Sequence, residues 1–240
     1  MSRTVPVLVA AAVGTIILVG LGTWQLQRLH WKEGIVAQIE ARQHARVTSV
    51  PPEVVWSTLQ NPDEYEYRHV AVVGTYQTAQ SALVFRGGSP NAQGEGPGYL
   101  VMTPLRLPDG ATILVNRGFA PVAAAADARA NVAEGAVSVT GLMRSPESRN
   151  PFTPADDPQH DIWYTRDPAS IAAHFQLTRV APFTIDADAD PKAQGWPRPG
   201  ATVVDIPNNH LSYALTWYGL AVALIGVTVA YLRGQRRKPQ

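Results

Sequence analysis

Histidines are the residues of this sequence best suited to bind a metal or carry a proton: His30, His44, His69, His160, His174 and His210. They are dispersed. None forms HxH or HExxH, so their spacing does not predict a dedicated metal site. Asp156, Asp157, His160 and Asp161 form a polar cluster able to bind a cation, or to serve a membrane-anchored enzyme. Prolines bound it, and a solvated turn is the better reading. There is no GxSxG nucleophile elbow, and the GEGPG stretch at 94–98 lacks the lysine of a phosphate-binding loop and reads as a flexible hairpin. Cysteine is absent. That excludes disulfides, thiol redox chemistry, zinc–cysteine sites and thiol-based copper carriage. Catalytic residues are therefore not expected.

His210 stands apart by position. It sits at the mouth of a long apolar run, where ionisable residues are rare and often functional. At about 100° per residue, Ala214, Trp217, Ala221 and Thr228 share its helical face, with Tyr213 about 60° to one side. Gly219, Ala223, Gly226 and Ala230 fall opposite, at a spacing that permits close helix contact. If that small-residue seam packs on the other apolar run, His210, Tyr213 and Trp217 face lipid or a partner. This arrangement suits an axial imidazole with flanking aromatics around a flat apolar cofactor. Without CxxCH, any haem would be held non-covalently. Trp, Tyr and His also anchor helices at headgroup level, and spacing alone leaves both readings open.

Two elements position these residues. Residues 4–27 carry no charge, and their core, 5–24, is twenty residues long, about 30 Å of helix or one bilayer core. A second uncharged run covers 211–232. Transmembrane helices over 5–27 and 211–232 are expected. The bulky Trp24-Gln25-Leu26-Gln27 stands where a signal peptidase needs small residues, so the first run reads as an uncleaved anchor.

Charge supplies the orientation. All 19 acidic residues lie within 28–210, together with fifteen of the 20 basic ones, leaving that segment at −4 and the ends at +5. Arg233, Arg236, Arg237 and Lys238 hold the tail at 233–240 in the cytoplasm, and two spans bring the N-terminus, 1–4, to the same side. Residues 28–210 then form an exported domain. No Arg-rich transit peptide precedes the first span, so the expected setting is a bacterial inner membrane with a periplasmic domain. A basic nucleic-acid-binding face is not expected.

Within the exported segment, apolar spacing at Ile35, Val36 and Ile39 continues the first helix over 32–46. Strand-like runs follow at 68–76, 82–85, 99–107, 112–116, 137–143 and 182–185. Pro108-Asp109-Gly110 predicts a hairpin turn, and Asp167-Pro168 a capped short helix through Phe175. Residues 89–98 and 186–199 read as irregular. The expected fold is an integral membrane protein, with two transmembrane α-helices flanking a mainly antiparallel α+β domain.

An ordered set of motifs adds to this. Leu21-Gly22-Thr23-Trp24-Gln25-Leu26-Gln27-Arg28, Gly74-Thr75-Tyr76, Gly98-Tyr99, Thr103-Pro104-Leu105, Asn116-Arg117-Gly118, Trp163-Tyr164 and the run from Asn209-His210 to Leu220 resemble the surfeit-locus (Shy-type) cytochrome oxidase assembly factors. The resemblance covers nearly the whole chain. It implies a factor for haem-copper, cytochrome c-type oxidases that is not an enzyme. Such a factor binds haem a through His210, with Tyr213 and Trp217 packing beside it, while the haem enters the catalytic subunit. That subunit, the haem a synthase and membrane lipid would be its partners. A haem-independent scaffold for an oxidase intermediate is the alternative. Trp24, Arg28, Gly74, Tyr99, Asn116, Arg117, Gly118, Trp163 and Tyr164 would serve partner binding or structure, Arg117 as a strand-end turn. Phe119-Ala120 stands where the family has Trp-Val, a change expected to touch only a loop contact. His30 is not part of the pattern.

Overall fold

The long uncharged runs become helices because nothing inside them breaks the ladder, and the one early proline, Pro6, lies in the first turn, where a missing N–H is harmless. In the computed structural model, which describes residues 4–87, 96–200 and 208–236, the first run is part of α1, Thr4–Gln43, a single helix of 40 residues that carries the expected extension over 32–46 as far as Gln43. The chain divides into two units, 1–39 with 205–240, and 40–204.

The first unit pairs α1 with the C-terminal helix (His210–Arg236). Both are long and apolar enough to cross a membrane. Along α1 the less exposed residues are Ala11, Thr15, Leu18, Gly22 and Gln25; along the C-terminal helix they are Ala214, Tyr218, Ala221, Leu224 and Thr228. This alternation of three and four is the spacing of helices packed at a shallow angle. A side chain at Gly22 would meet the Tyr218 ring at 2.9 Å, and one at Gly14 would meet Leu224 at 3.0 Å. The small-residue face, which the sequence leaves open as a seam, is not the packed one: a Cβ on Gly219 or Gly226 would have no neighbour within 4 Å. Gly22 leaves room for a tyrosine ring, so the face beginning at His210 turns toward α1, and the Gly219/Gly226 face turns away.

The second unit contains β1 (Thr48–Ser49), β2 (His69–Tyr76), β3 (Ala82–Arg86), β4 (Gly98–Arg106), β5 (Thr112–Pro121), α2 (Ala125–Ala130), β6 (Ala136–Arg144), β7 (Ile162–Trp163), α3 (Pro168–His174) and β8 (Val180–Ala187). The C-terminal helix of the first unit is α4. Strands β2, β6, β8, β5 and β4 are neighbours in that order, and β4 pairs back to β2 at Thr75 and Arg106. They close a five-stranded barrel, flanked by β1 on β2 and by β3 and β7 beyond β4. Most pairings are antiparallel as expected, but β5–β8, β1–β2 and β3–β7 are parallel. Inside the barrel lie Val70, Val72, Leu105, Ile113, Val115, Met143, Phe183 and Ile185, with Trp56 and Tyr65 as plugs. On the outer side, Leu114, Met102, Phe119 and Trp163 pack with Ile171 of α3. Strand β5 thus buries both faces, and its first part, Ile113-Leu114-Val115, is an unbroken apolar run rather than an alternating one.

The turn at Pro108-Asp109-Gly110 forms as expected, with Gly110 at φ 87° and Asp109 accepting from the Ala111 amide. So does the Asp167 cap, whose side chain accepts from the Ala169 amide. Strand β5 runs beyond the expected end at Asn116 because Arg117 and Gly118 are absorbed as a bulge: Leu100 pairs with Phe119 and Met102 with Asn116. Asp186 and Ala187, expected to be irregular, belong to β8. Of the GEGPG stretch, Gly94 and Glu95 lie outside the described residues, and Gly98 opens β4.

Candidate functional site

At the first residue of α4, the His210 ring is part-buried against α1, with Nδ1 2.6 Å from Oε1 of Gln25. Asn209 caps the helix from behind, its carbonyl accepting the Tyr213 amide. Tyr213 lies one turn on and is 55% exposed, and Trp217 is half-buried a further turn along. Leu211 and Leu215 add exposed apolar surface to the same end of the helix. One imidazole and a patch of flat and branched apolar side chains are thereby gathered on one helix end. Such a set fits a planar apolar group with an iron centre, since it offers a nitrogen donor and surface for the ring. His30 binds its own helix instead, through Nδ1 to the Leu26 carbonyl at 2.8 Å.

Trp24 is 51% exposed. Arg28 stacks its guanidinium 4.2 Å from the centre of the Trp31 ring, a cation–π contact along one helix face. Tyr218 and Thr23 exchange a hydroxyl hydrogen bond at 3.1 Å.

In the barrel, the remaining motif residues hold the fold together. Gly74 lies where β2 closes against β4; a Cβ there would stand 2.6 Å from the Arg106 carbonyl oxygen. Gly118 has φ 128°, and its Cβ would collide with the Arg198 carbonyl at 2.0 Å. Asn116 ties the bulge together, accepting the Gly118 amide at 3.0 Å and donating to Asp186 at 2.9 Å. Arg117 is no strand-end turn: it is buried within β5 and donates to the Thr103 hydroxyl and to the carbonyls of Asn131 and Ala128. Burial lowers its pKa to about 10, partly countered by Tyr76, and burial pushes the Tyr76 phenol up to about 12. Trp163 is buried against His174 and Phe175. Tyr99 and Tyr164 both pack on Phe85, at 5.8 and 5.7 Å between ring centres. Phe119 and Ala120 are fully buried core residues, so the departure there is a packing change rather than a loop contact.

The carboxylates of the Asp156–Asp161 cluster have protein partners. Asp156 takes Arg149 at 2.7 Å, Asp157 takes His160 at 2.7 Å, and Asp161 takes Arg129 and His174. No group of three potential metal ligands exists among the described residues.

Sequence reasoning missed two arrangements. Gln25 is one. The other is a buried ion network. Asp186, 3% exposed, accepts from Arg144 at 3.0 Å, from Arg166 at 3.1 Å and from Asn116. Arg144 also reaches Glu66 at 2.8 Å, and Glu147 accepts Arg86 at 2.7 Å and the Arg166 amide at 2.9 Å. Burial works to raise the Glu147 carboxyl, but Arg166 and Arg86 outweigh it and hold the group below its ordinary range. No spacing rule connects residues so far apart in sequence.

A family model described as "SURF1 family" matches residues 12–222 of this chain. "Surfeit locus protein 1" of Homo sapiens is 35% identical over 219 residues, 85% of this chain and 70% of that protein. The protein of the same name from Mus musculus is 36% identical over 218 residues, covering 85% and 68%. "SURF1-like protein" of Monosiga brevicollis is 34% identical over 230 residues, covering 89% and 83%.

Proposed function

Because the chain belongs to the SURF1 family, we propose that it is a membrane-anchored assembly factor for haem-copper cytochrome c oxidase, a binding protein rather than an enzyme. It holds haem a non-covalently at His210 while the group passes to the catalytic subunit. The observation that carries this reading is the part-buried imidazole at the head of α4, with the exposed Tyr213 one turn along and about 60° to one side of it. His210 would ligate the iron, with Tyr213 and Trp217 packing on the macrocycle. Bound haem a supplies the redox-active iron that the oxidase requires. The basic tail keeps both termini cytoplasmic. The barrel domain faces the periplasm of a bacterial cell, where it meets the catalytic subunit and the haem a synthase; the relatives compared above are eukaryotic.

The test is the absorption spectrum of protein purified from cells that make haem a. Wild-type protein is expected to carry the pigment and His210→Ala to lose most of it. A pigment-free wild type that still co-purifies with the catalytic subunit would instead support the haem-independent scaffold.

A further inference from the structure

We infer that Gln25 is the positioning residue of the haem site, fixing the tautomer of His210 so that Nε2 carries the free lone pair; this rests on the haem a reading above. The 2.6 Å contact joins His210 Nδ1 to an amide oxygen. An amide oxygen only accepts, so the proton of the neutral imidazole must sit on Nδ1. That leaves Nε2 unprotonated, the form in which an imidazole ligates a metal. Liganding histidines generally donate their other N–H in this way, and the acceptor sets both ring orientation and basicity.

Gln25 suits the role through its position and neutrality. It lies on the stripe of α1 residues that packs against α4, one helical turn from Gly22, where the Tyr218 contact brings the helices close. A glutamate would bind the imidazole more strongly, but at the cost of a charge beside an apolar run. The amide accepts one hydrogen bond and adds no charge. The second histidine at this end of α1, His30, makes its bond to its own backbone and needs no partner from α4.

The tautomer is read first in haem-free, full-length protein in lipid, by nitrogen NMR of 15N-histidine protein, with His210 assigned by its loss in His210→Ala. Above the imidazole pKa, wild type should show a protonated Nδ1 and a bare Nε2. Gln25→Leu should shift His210 toward the Nε2-protonated form. Haem a titration follows. Gln25→Leu should weaken binding about 10–100-fold, the usual cost of losing such a partner, and Gln25→Glu should restore it. An Nε2-protonated His210 in wild type overturns the inference. So does wild-type haem affinity in Gln25→Leu when His210→Ala has lost its haem. Unchanged binding by His210→Ala overturns the haem reading itself, and the inference falls with it. Should Gln25→Leu fail to insert, the wild-type tautomer decides alone.

Discussion

In the barrel, most buried polar groups pair with one another, although Arg166 Nε and Thr184 Oγ1 have no hydrogen-bond partner among the described residues. Asp186, Arg144, Arg166, Glu66, Glu147 and Arg86 form a balanced set of three cations and three anions, tied to Asn116 at the β5 bulge. The helix pair does the reverse. Its packed face is mostly small and apolar, with two side-chain hydrogen bonds across it among the described residues, Thr23 to Tyr218 and Gln25 to His210. Charge density therefore does not mark the proposed site. The most polar region is the most committed to structure, while a lone imidazole with one neutral partner retains a nitrogen for other chemistry.

The sharpest test of that contrast is Asp186→Asn. It removes the anion shared by Arg144 and Arg166, leaving them only Glu66 and Glu147 respectively, and is expected to destabilise the domain by up to about 3–5 kcal/mol, the range for breaking a buried ion pair. Urea unfolding of the purified protein followed by near-ultraviolet circular dichroism measures it; a loss below about 1 kcal/mol would show the network to be solvated. Next is Gly118→Ala. The positive φ alone costs about 1–3 kcal/mol, and the collision with the Arg198 carbonyl adds to that. Normal expression and a wild-type unfolding midpoint would refute the bulge.

Acid provides a third, graded probe. The Glu147 carboxyl titrates lower when folded than when unfolded. Its stabilisation is therefore complete above the unfolded value, about 4.3, and is lost as pH falls through the lower folded value. Stability measured from pH 6 down to 3 should decline, and Glu147→Gln should flatten part of the decline. The smallest effect belongs to the helices. Tyr218→Phe removes the bond to Thr23, and such bonds in membranes are worth about 0.6 kcal/mol. A dimer-free helix-pair assay, such as fluorescence transfer between the two spans, should register only a slight loosening.

Strands with a regular period were legible in the sequence: β2, β3, β4 and β6 fall where alternation or β-branched runs put them. The Asp167-Pro168 cap located α3 because a side-chain acceptor followed by proline has one common use. The second half of β5 was not legible, since Arg117-Gly118 imitates a strand end and only the partner strand reveals a bulge. Helix α2, six residues long, is too short to show a period. His210 was singled out by its position beside an uncharged run, and the structure places it at the first residue of α4. Gln25 was not: a neutral residue within an apolar motif gives no sign of a partner 185 positions away.

The place of β8 in the ring has a consequence for biogenesis. This strand, Val180–Ala187, lies between β6 and β5, so the ring stays open until residue 187 has been made. Synthesis runs from the N-terminus, and α4 begins only at His210. The ring must therefore stay open until nearly all of the domain has been synthesised, and its last strand is completed just ahead of α4. Chains stalled before residue 180 should be protease-sensitive throughout the barrel, and chains stalled after residue 187 should be resistant.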